Sequence, residues 1–273
     1  MSRPSVLPPP EVVKTCCATL YASDWVRLLL GESLHPGGLG LTDHLAKVIG
    51  LRRAQRVLDV ASGRGISAIH LAKTVGCSVV GVDYSPPNVA SSRRAASEQG
   101  VSDRVRFLAG DAERLPVEVD AFDAVIAECA YCTFPDKAAA AAEFARVLRP
   151  GGRLGFVDLL RSGPLPAELG SLAAWVACIG DARPLEEYLA LLEDAGLRID
   201  RVEHHDGALA ELVEMIRTRL LTMQLAARLT AIPLPNVDWA DVRPMLRSAA
   251  AAVADGRLGY ALIAATLPES VQG

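Results

Sequence analysis

Between Arg56 and Asp158 the chain switches repeatedly between two hydrophobic rhythms. RVLDVA from Arg56, CSVVGVDYS from Cys77, RVRFLAGD from Arg104, FDAVIAE from Phe122 and GRLGFVDL from Gly152 are short, β-rich runs bounded by turn residues. Their apolar positions follow one another with little polar interruption, as in strands buried on both faces. Between these runs, residues 66–75, 87–98 and 137–148 carry helical patterns. Strands alternating with helices at this interval predict βαβ units, hence an α/β fold built on a doubly wound, mostly parallel sheet.

The flanks add to this frame. From Glu11 to about Gly50 the pattern is helical in three pieces, broken by a cap at Ser23 and Asp24 and by the turn HPGG, His35 to Gly38. The proline-rich residues 1–10 are expected to be extended or disordered. After the fifth strand, Pro184 to Gly196 reads as a helix, LRIDRVEHH from Leu197 as a sixth strand and LGYALIAATL from Leu258 as a last one. Residues 207–255, rich in Ala, Leu and Arg, predict two or three helices placed as a lid or wall over the strand ends. The expected organisation is an N-terminal helical cap (1–50), a core (51–206), a helical insertion or lid (207–255) and the last strand with its tail (256–273).

Composition narrows the function classes. With 273 residues, 51% hydrophobic and 22% charged, the chain can bury a large core. A net charge of −4 gives no basic field for a nucleic-acid backbone, and no polybasic segment suits an anionic membrane. The opening MSRPSVLPPPE lacks the apolar stretch of a signal peptide, and no run of about 18 apolar residues occurs, so the expectation is a cytoplasmic protein without a membrane or nucleic-acid partner. Six cysteines (16, 17, 77, 129, 132 and 178) then read as reduced thiols. Cys129 and Cys132 have zinc-like spacing, but a second short-spaced pair is missing and no metal site is expected.

The strand ends carry the candidate chemistry. VLDVASGRG, Val57 to Gly65, runs from strand to helix through a turn in which Gly63 and Gly65 permit close approach of a ligand, while the helix N-terminus offers unpaired N–H groups. Twenty-four residues after Asp59, the second strand ends at Asp83 and Tyr84, where an acid can accept hydrogen bonds from ribose hydroxyls. AGDAERLP puts Gly110, Asp111 and Ala112 at the third strand end.

These residues resemble the S-adenosylmethionine-dependent methyltransferases of the Rossmann-like class. The first motif of that family is similar to VLDVASGRG, its ribose-binding acid matches Asp83, and its adenine-binding strand end matches Gly110, Asp111 and Ala112. LRPGGRLGFVD, Leu148 to Asp158, matches the Pro-Gly-Gly turn before its fifth strand. Ala61 stands where a more frequent pattern has glycine. A nicotinamide dehydrogenase is disfavoured, since Ser67 and Ala68 occupy the place of the third dinucleotide glycine. The resemblance implies seven strands with the last antiparallel. It also implies S-adenosylmethionine bound by Asp59, Ala61, Gly63, Gly65, Asp83, Tyr84, Gly110, Asp111, Ala112 and Glu128, with Glu128 and Cys129 where cofactor and acceptor meet.

A narrower resemblance concerns the acceptor. VIAECAYCTFPDKAAAAAEFARVLRPGGRL and AWVACIGDARPLEEYLALLEDAGLRI are similar to two segments of arsenite methyltransferases, with Cys178 matching a metalloid-binding cysteine. This implies a small-molecule or metalloid acceptor, with trivalent arsenic or another soft, thiophilic nucleophile held by Cys129, Cys132 and Cys178. That family has a cysteine just beyond the first motif, where this chain has Ser67 or its neighbours, and another after the position of Cys178; both are absent here. Either Cys16, Cys17, Cys129 or Cys132 substitutes in space or the acceptor differs. Carbon or oxygen methylation of a quinone, lipid or secondary metabolite therefore stays open, as does a non-catalytic thiol metal sensor. Packing is the plain alternative for each thiol. Cys16 and Cys17 point about 100° apart on a helix, so at most one faces a common site. His35 lines the cofactor mouth or caps a turn, with the turn favoured; Tyr21 and Trp25 cover the cofactor or pack as core, with core favoured; His204 and His205 close the sixth strand, where surface imidazoles are common.

Overall fold

The computed structural model describes residues 9–23, 33–166, 178–230 and 239–269, with positions 26, 28, 30, 31 and 169. Trp25 lies outside the described residues. Helices α1 (Pro10–Ala22) and α2 (Gly38–Val48) precede β1 (Arg56–Val60), α3 (Ile66–Thr74), β2 (Ser78–Asp83), α4 (Pro86–Glu98), β3 (Val105–Ala109) and β4 (Phe122–Glu128). There follow a short 3-10 turn (Tyr131–Thr133), α5 (Lys137–Val147), β5 (Leu148–Arg161), α6 (Leu185–Asp194) and β6 (Arg198–His204). The chain closes with α7 (Asp206–Thr230), α8 (Trp239–Ala254) and β7 (Leu258–Thr266).

The seven strands form one sheet in the order β3-β2-β1-β4-β5-β7-β6. β1 pairs in parallel with β2 and with β4, whereas β7 runs antiparallel to both β5 and β6. The mostly parallel α/β sheet read from the apolar runs is present, with the last strand reversed.

Alternation along each strand feeds two core layers. Val57, Val79, Ala124 and Val157 pack with Leu45 of α2 and with Ala68 and Leu71 of α3. Their neighbours Leu58, Val125 and Phe156 face the opposite layer, with Ala140 and Phe144 of α5 and Tyr188 of α6. β6 is half-exposed along its length, as an edge strand is, and its sequence is correspondingly polar. Helices α7 and α8 pack on each other and on β7, and Leu209, Ala249 and Ala252 join the layer that contains α2. No described helix is long and apolar enough to cross a membrane.

One boundary differs from the sequence pattern. Helix α5 ends at Val147 and β5 begins at Leu148, four residues before the predicted start. Leu148 already pairs with Phe122, and the register then shifts before Ala124 meets Arg153. Gly151, at φ +75, takes up the slack, so the Pro-Gly-Gly turn is an irregularity inside the strand.

Because β1 lies between β2 and β4, the chain leaves it toward one edge of the sheet and later crosses to the other. That reversal opens a crevice at the carboxyl ends of β1 and β4, where open sheets of this kind bind ligands. The turn from β1 into α3 shapes the crevice floor. Gly63 and Gly65 both have left-handed φ, at +54 and +79, but their surroundings differ. A methyl on Gly65 would come within 2.4 Å of Phe107 Cζ and 2.9 Å of Ser92 Cβ, whereas nothing lies within 4 Å of one on Gly63. Gly63→Ala is expected to cost about 1 kcal/mol from the backbone alone. Gly65→Ala adds overpacking and should cost about 3 kcal/mol. Urea unfolding of the two variants should show that order; equal losses would refute the packing role of Gly65.

Candidate active site

The crevice is lined at its floor by Asp59, Ala61, Gly63, Asp83, Tyr84, Gly110, Asp111, Ala112, Glu128 and Cys129, all at or just beyond the ends of β1 to β4. Nine of the ten residues matched to cofactor binding are therefore gathered on one wall. Gly65 is the exception, since it caps α3 behind the turn and packs against Phe107. Ala61 holds φ +57, the left-handed conformation that explains why glycine is frequent at this position.

Asp83 is fixed from three directions. The Gly63 N–H donates to its Oδ2 at 2.7 Å, the Ser85 N–H to Oδ1 at 2.9 Å and the Asn88 side-chain amide to Oδ1 at 3.2 Å. Burial raises its pKa, and these donors oppose the rise. Glu128 accepts from the Thr42 hydroxyl at 2.8 Å and the Ser67 hydroxyl at 2.5 Å, with His35 Nε2 3.7 Å away. Asp59 is buried and its Oδ2 has no hydrogen-bond partner. Its carboxyl lies well above the usual range, first through burial and then through the neighbouring charges of Glu128 and Asp83.

An orphaned carboxylate oxygen beside two further acids fits a ligand with cationic donors and a diol. S-adenosylmethionine has these groups in its ammonium, sulfonium and ribose. Asp59, Asp83 and Glu128 would hold them, with Gly110 to Ala112 lining the same crevice. The group supplies an activated methyl. The protein's part is to orient that methyl, exclude water and hold the acceptor in line.

The roof comes from the N-terminal helix. Lys14, Cys17, Ala18 and Tyr21 of α1, with Ser33, Leu34 and His35, cover the crevice. Lys14 Nζ bridges Asp111 at 2.8 Å and Glu113 at 2.5 Å, and the Tyr84 hydroxyl donates to Glu11 at 3.1 Å. Arg64 donates to the Ala22 carbonyl at 2.7 Å, which ties the far end of α1 to the β1 turn. The four helical residues are spaced i, i+3, i+4 and i+7, one stripe of a helix. That stripe was visible in the sequence, but it reads equally as core. Tyr21 and His35 thus face the crevice instead of serving only as core and turn, although His35 Nδ1 does approach the Pro36 carbonyl at 3.1 Å.

Behind the crevice, Cys129, Cys132 and Cys178 approach one another. The Cys178 Sγ lies 3.1 Å from the Tyr21 hydroxyl and 3.4 Å from the Cys129 carbonyl. Cys129 and Cys178 both hold left-handed φ, +53 and +67, unusual for residues with a side chain. Hydrogen bonds from the thiols of Cys129 and Cys132 hold Cys178 well below the ordinary thiol range, aided by Tyr21 and the Lys137 charge. The Cys178 interaction and burial push Cys129 up, while burial and then Cys178 push Cys132 up. These shared hydrogen bonds favour ionisation at Cys178 over Cys129 and Cys132.

Cys129 lines the crevice, whereas Cys132 and Cys178 are buried behind it. Cys17 also lines it and is pushed up to about 12 by burial and by Cys178, whereas Cys16 is not among the lining residues. Cys77 is buried in the core layer with Val57. Lys137 was missed from the sequence. Its buried ammonium donates to the Cys132 and Phe134 carbonyls at 2.9 and 3.1 Å and pairs with Asp181 at 2.5 Å, bracing the turn that carries Cys132. Asp158 accepts from the Cys132 N–H at 2.9 Å, and burial with the Cys178 charge raises its pKa to about 6.

Comparison with known proteins agrees with this geometry. A family model described as a methyltransferase domain matches residues 57–152. The chain is 36% identical to 27-O-demethylrifamycin SV methyltransferase of Amycolatopsis mediterranei, over 66% of this chain and 72% of that protein. It is 34% identical to methyltransferase GfsG of Streptomyces halstedii, spanning 61% of each chain. Similarity to an arsenite methyltransferase of Halobacterium salinarum is 28% identity, over 56% of this chain and 39% of that one. Among solved structures, phosphoethanolamine N-methyltransferase 2 of Haemonchus contortus in complex with S-adenosyl-L-methionine superposes with a TM-score of 0.76 at 20% identity, over 97% of this chain and 61% of that one. Sheet order, acidic strand ends and these matches agree, and the chain belongs to the S-adenosylmethionine-dependent methyltransferases of the Rossmann-like class.

Proposed function

We propose that the acceptor is trivalent arsenic, or another soft thiophilic centre of the same kind, held by Cys178 with Cys129 and Cys132. The observation that carries this reading is the thiol cluster at the crevice wall: Cys178 Sγ lies 3.4 Å from the carbonyl of Cys129 and 3.1 Å from the Tyr21 hydroxyl, and Cys129, Tyr21 and Glu128 all line the crevice. Thiolates bind such a centre strongly, and its lone pair is left to attack. In the transfer, that lone pair forms a bond to the methyl carbon and the carbon–sulfur bond breaks with its electrons left on the sulfur. Arsenic passes formally from trivalent to pentavalent, and a thiol reductant is required to return it.

A second reading is supported by a different observation. His35 Nε2 is buried in the crevice without a hydrogen-bond partner, 3.7 Å from Glu128, where it can serve as the base for an oxygen acceptor. The 36% identity to a rifamycin-pathway enzyme points the same way.

Three outcomes separate these readings. With methyl-labelled S-adenosylmethionine, reduced glutathione and arsenite, the protein should form labelled methylarsenic. Cys178→Ser should lower that activity by about 100-fold, as loss of a ligand does, with cofactor affinity little changed. Cofactor binding without labelled arsenic would sink the metalloid reading. Under the leading reading His35→Ala retains methylarsenic formation, whereas on the oxygen-acceptor reading the same variant loses transfer to a phenol or alcohol. Asp83→Ala should weaken cofactor binding by about 10-fold to 100-fold in calorimetry, the value of a charge-assisted hydrogen bond. Unchanged affinity would remove Asp83 from the cofactor site.

A further inference from the structure

A second group of ligand-capable atoms lies at the junction of α2, β6 and α7, apart from the crevice. His44 of α2, Glu203 of β6 and His205 just beyond β6 each offer one such atom, all within 4.8 Å of one another. His44 Nε2 is 2.5 Å from Glu203 Oε2, and His205 Nε2 is 3.4 Å from the same oxygen. The two rings meet edge to face with centroids 5.6 Å apart.

Three features go beyond a surface ion pair. His205 Nε2 is buried without a hydrogen-bond partner, although its ring is positioned by a backbone N–H that donates to the Tyr260 carbonyl at 2.7 Å. Arg201 pairs with the other Glu203 oxygen, Oε1, and so leaves Oε2 turned toward both imidazoles. The His44 side chain is 42% exposed, which gives an ion a way in.

We propose that His44 Nε2, Glu203 Oε2 and His205 Nε2 bind one divalent transition-metal ion of the zinc class, with a coordination position left to solvent. Two imidazoles and one carboxylate suit zinc and its neighbours, whereas calcium and magnesium need oxygen donors. Metal–ligand bonds of about 2.0 to 2.1 Å require donors roughly 3.4 Å apart in a tetrahedron. The three atoms, between 2.5 and at most 4.8 Å apart, would move to that separation on binding. The proton lying between His44 and Glu203 leaves for solvent, or for His44 Nδ1, when the metal takes its place.

The ion would fasten α2 to β6. Two residues before His44, Thr42 donates to Glu128 in the cofactor crevice, and Asp43 meets His70 of α3 at 2.7 Å. Consecutive residues of one helix turn thus grip three different elements, and the metal would secure the third.

The test is cobalt(II) titration of the full chain after removal of metals with a chelator, followed by visible absorption, with zinc calorimetry and thermal unfolding alongside. The expected result is one equivalent bound with weak visible bands and a raised Tm. Binding should be retained in Cys178→Ser and weakened at least about 10-fold in His44→Ala and in His205→Asn. Circular dichroism of each variant confirms its fold, and His205→Asn reports on the ligand if His44→Ala fails to fold. No binding at tens of micromolar metal overturns the proposal. So does binding that survives both histidine substitutions, or a strong thiolate charge-transfer band that disappears in Cys178→Ser, since the ion would then sit on the thiols. The outcome does not depend on which acceptor is methylated.

Discussion

Three carboxylates buried together at the ends of β1, β2 and β4 set the terms for the rest of the molecule. Asp59, Asp83 and Glu128 crowd one crevice, and the donors to Asp83 and Glu128 described above are neutral amides and hydroxyls. Desolvation, and then the charges of Glu128 and Asp83, push Asp59 toward its neutral form. A cationic ligand would offset both. The parallel register of β1 between β2 and β4 creates the arrangement, and two helices contribute to it: Thr42 from α2 and Ser67 from α3 donate to Glu128.

The thiol cluster obeys a related logic with the opposite sign. Cys178 gains its low pKa from donors placed around it, and Lys137 supplies a positive charge from the buried side while pairing with Asp181. Cys178 is buried, and Cys129 beside it lines the crevice.

The fold was largely legible because strands buried on both faces write themselves as apolar runs, and because acids at strand ends are rare enough to stand out. Asp83 and Asp111 were readable for that reason. The roof was not. Lys14, Cys17, Ala18 and Tyr21 form a stripe whose spacing is the same whether it faces a ligand or a core. Lys137 was hidden in an alanine-rich helix start, and its role depends on Asp181, forty-four residues away. The start of β5 was misplaced because Gly151 lets a strand pass through a turn-like sequence, a conformational freedom that local pattern does not record. His44 and Glu203 meet across 159 residues, so only the sheet order could bring them into view.

Helix α1 closes the crevice at both of its ends. Lys14 holds it down over Asp111 beside the third strand, while Tyr21, two turns later, touches Cys178. One thirteen-residue helix thus reaches from the third strand end to the thiol cluster. The acidic strand ends and the thiol cluster therefore share one covering element, and a change in α1 reaches both.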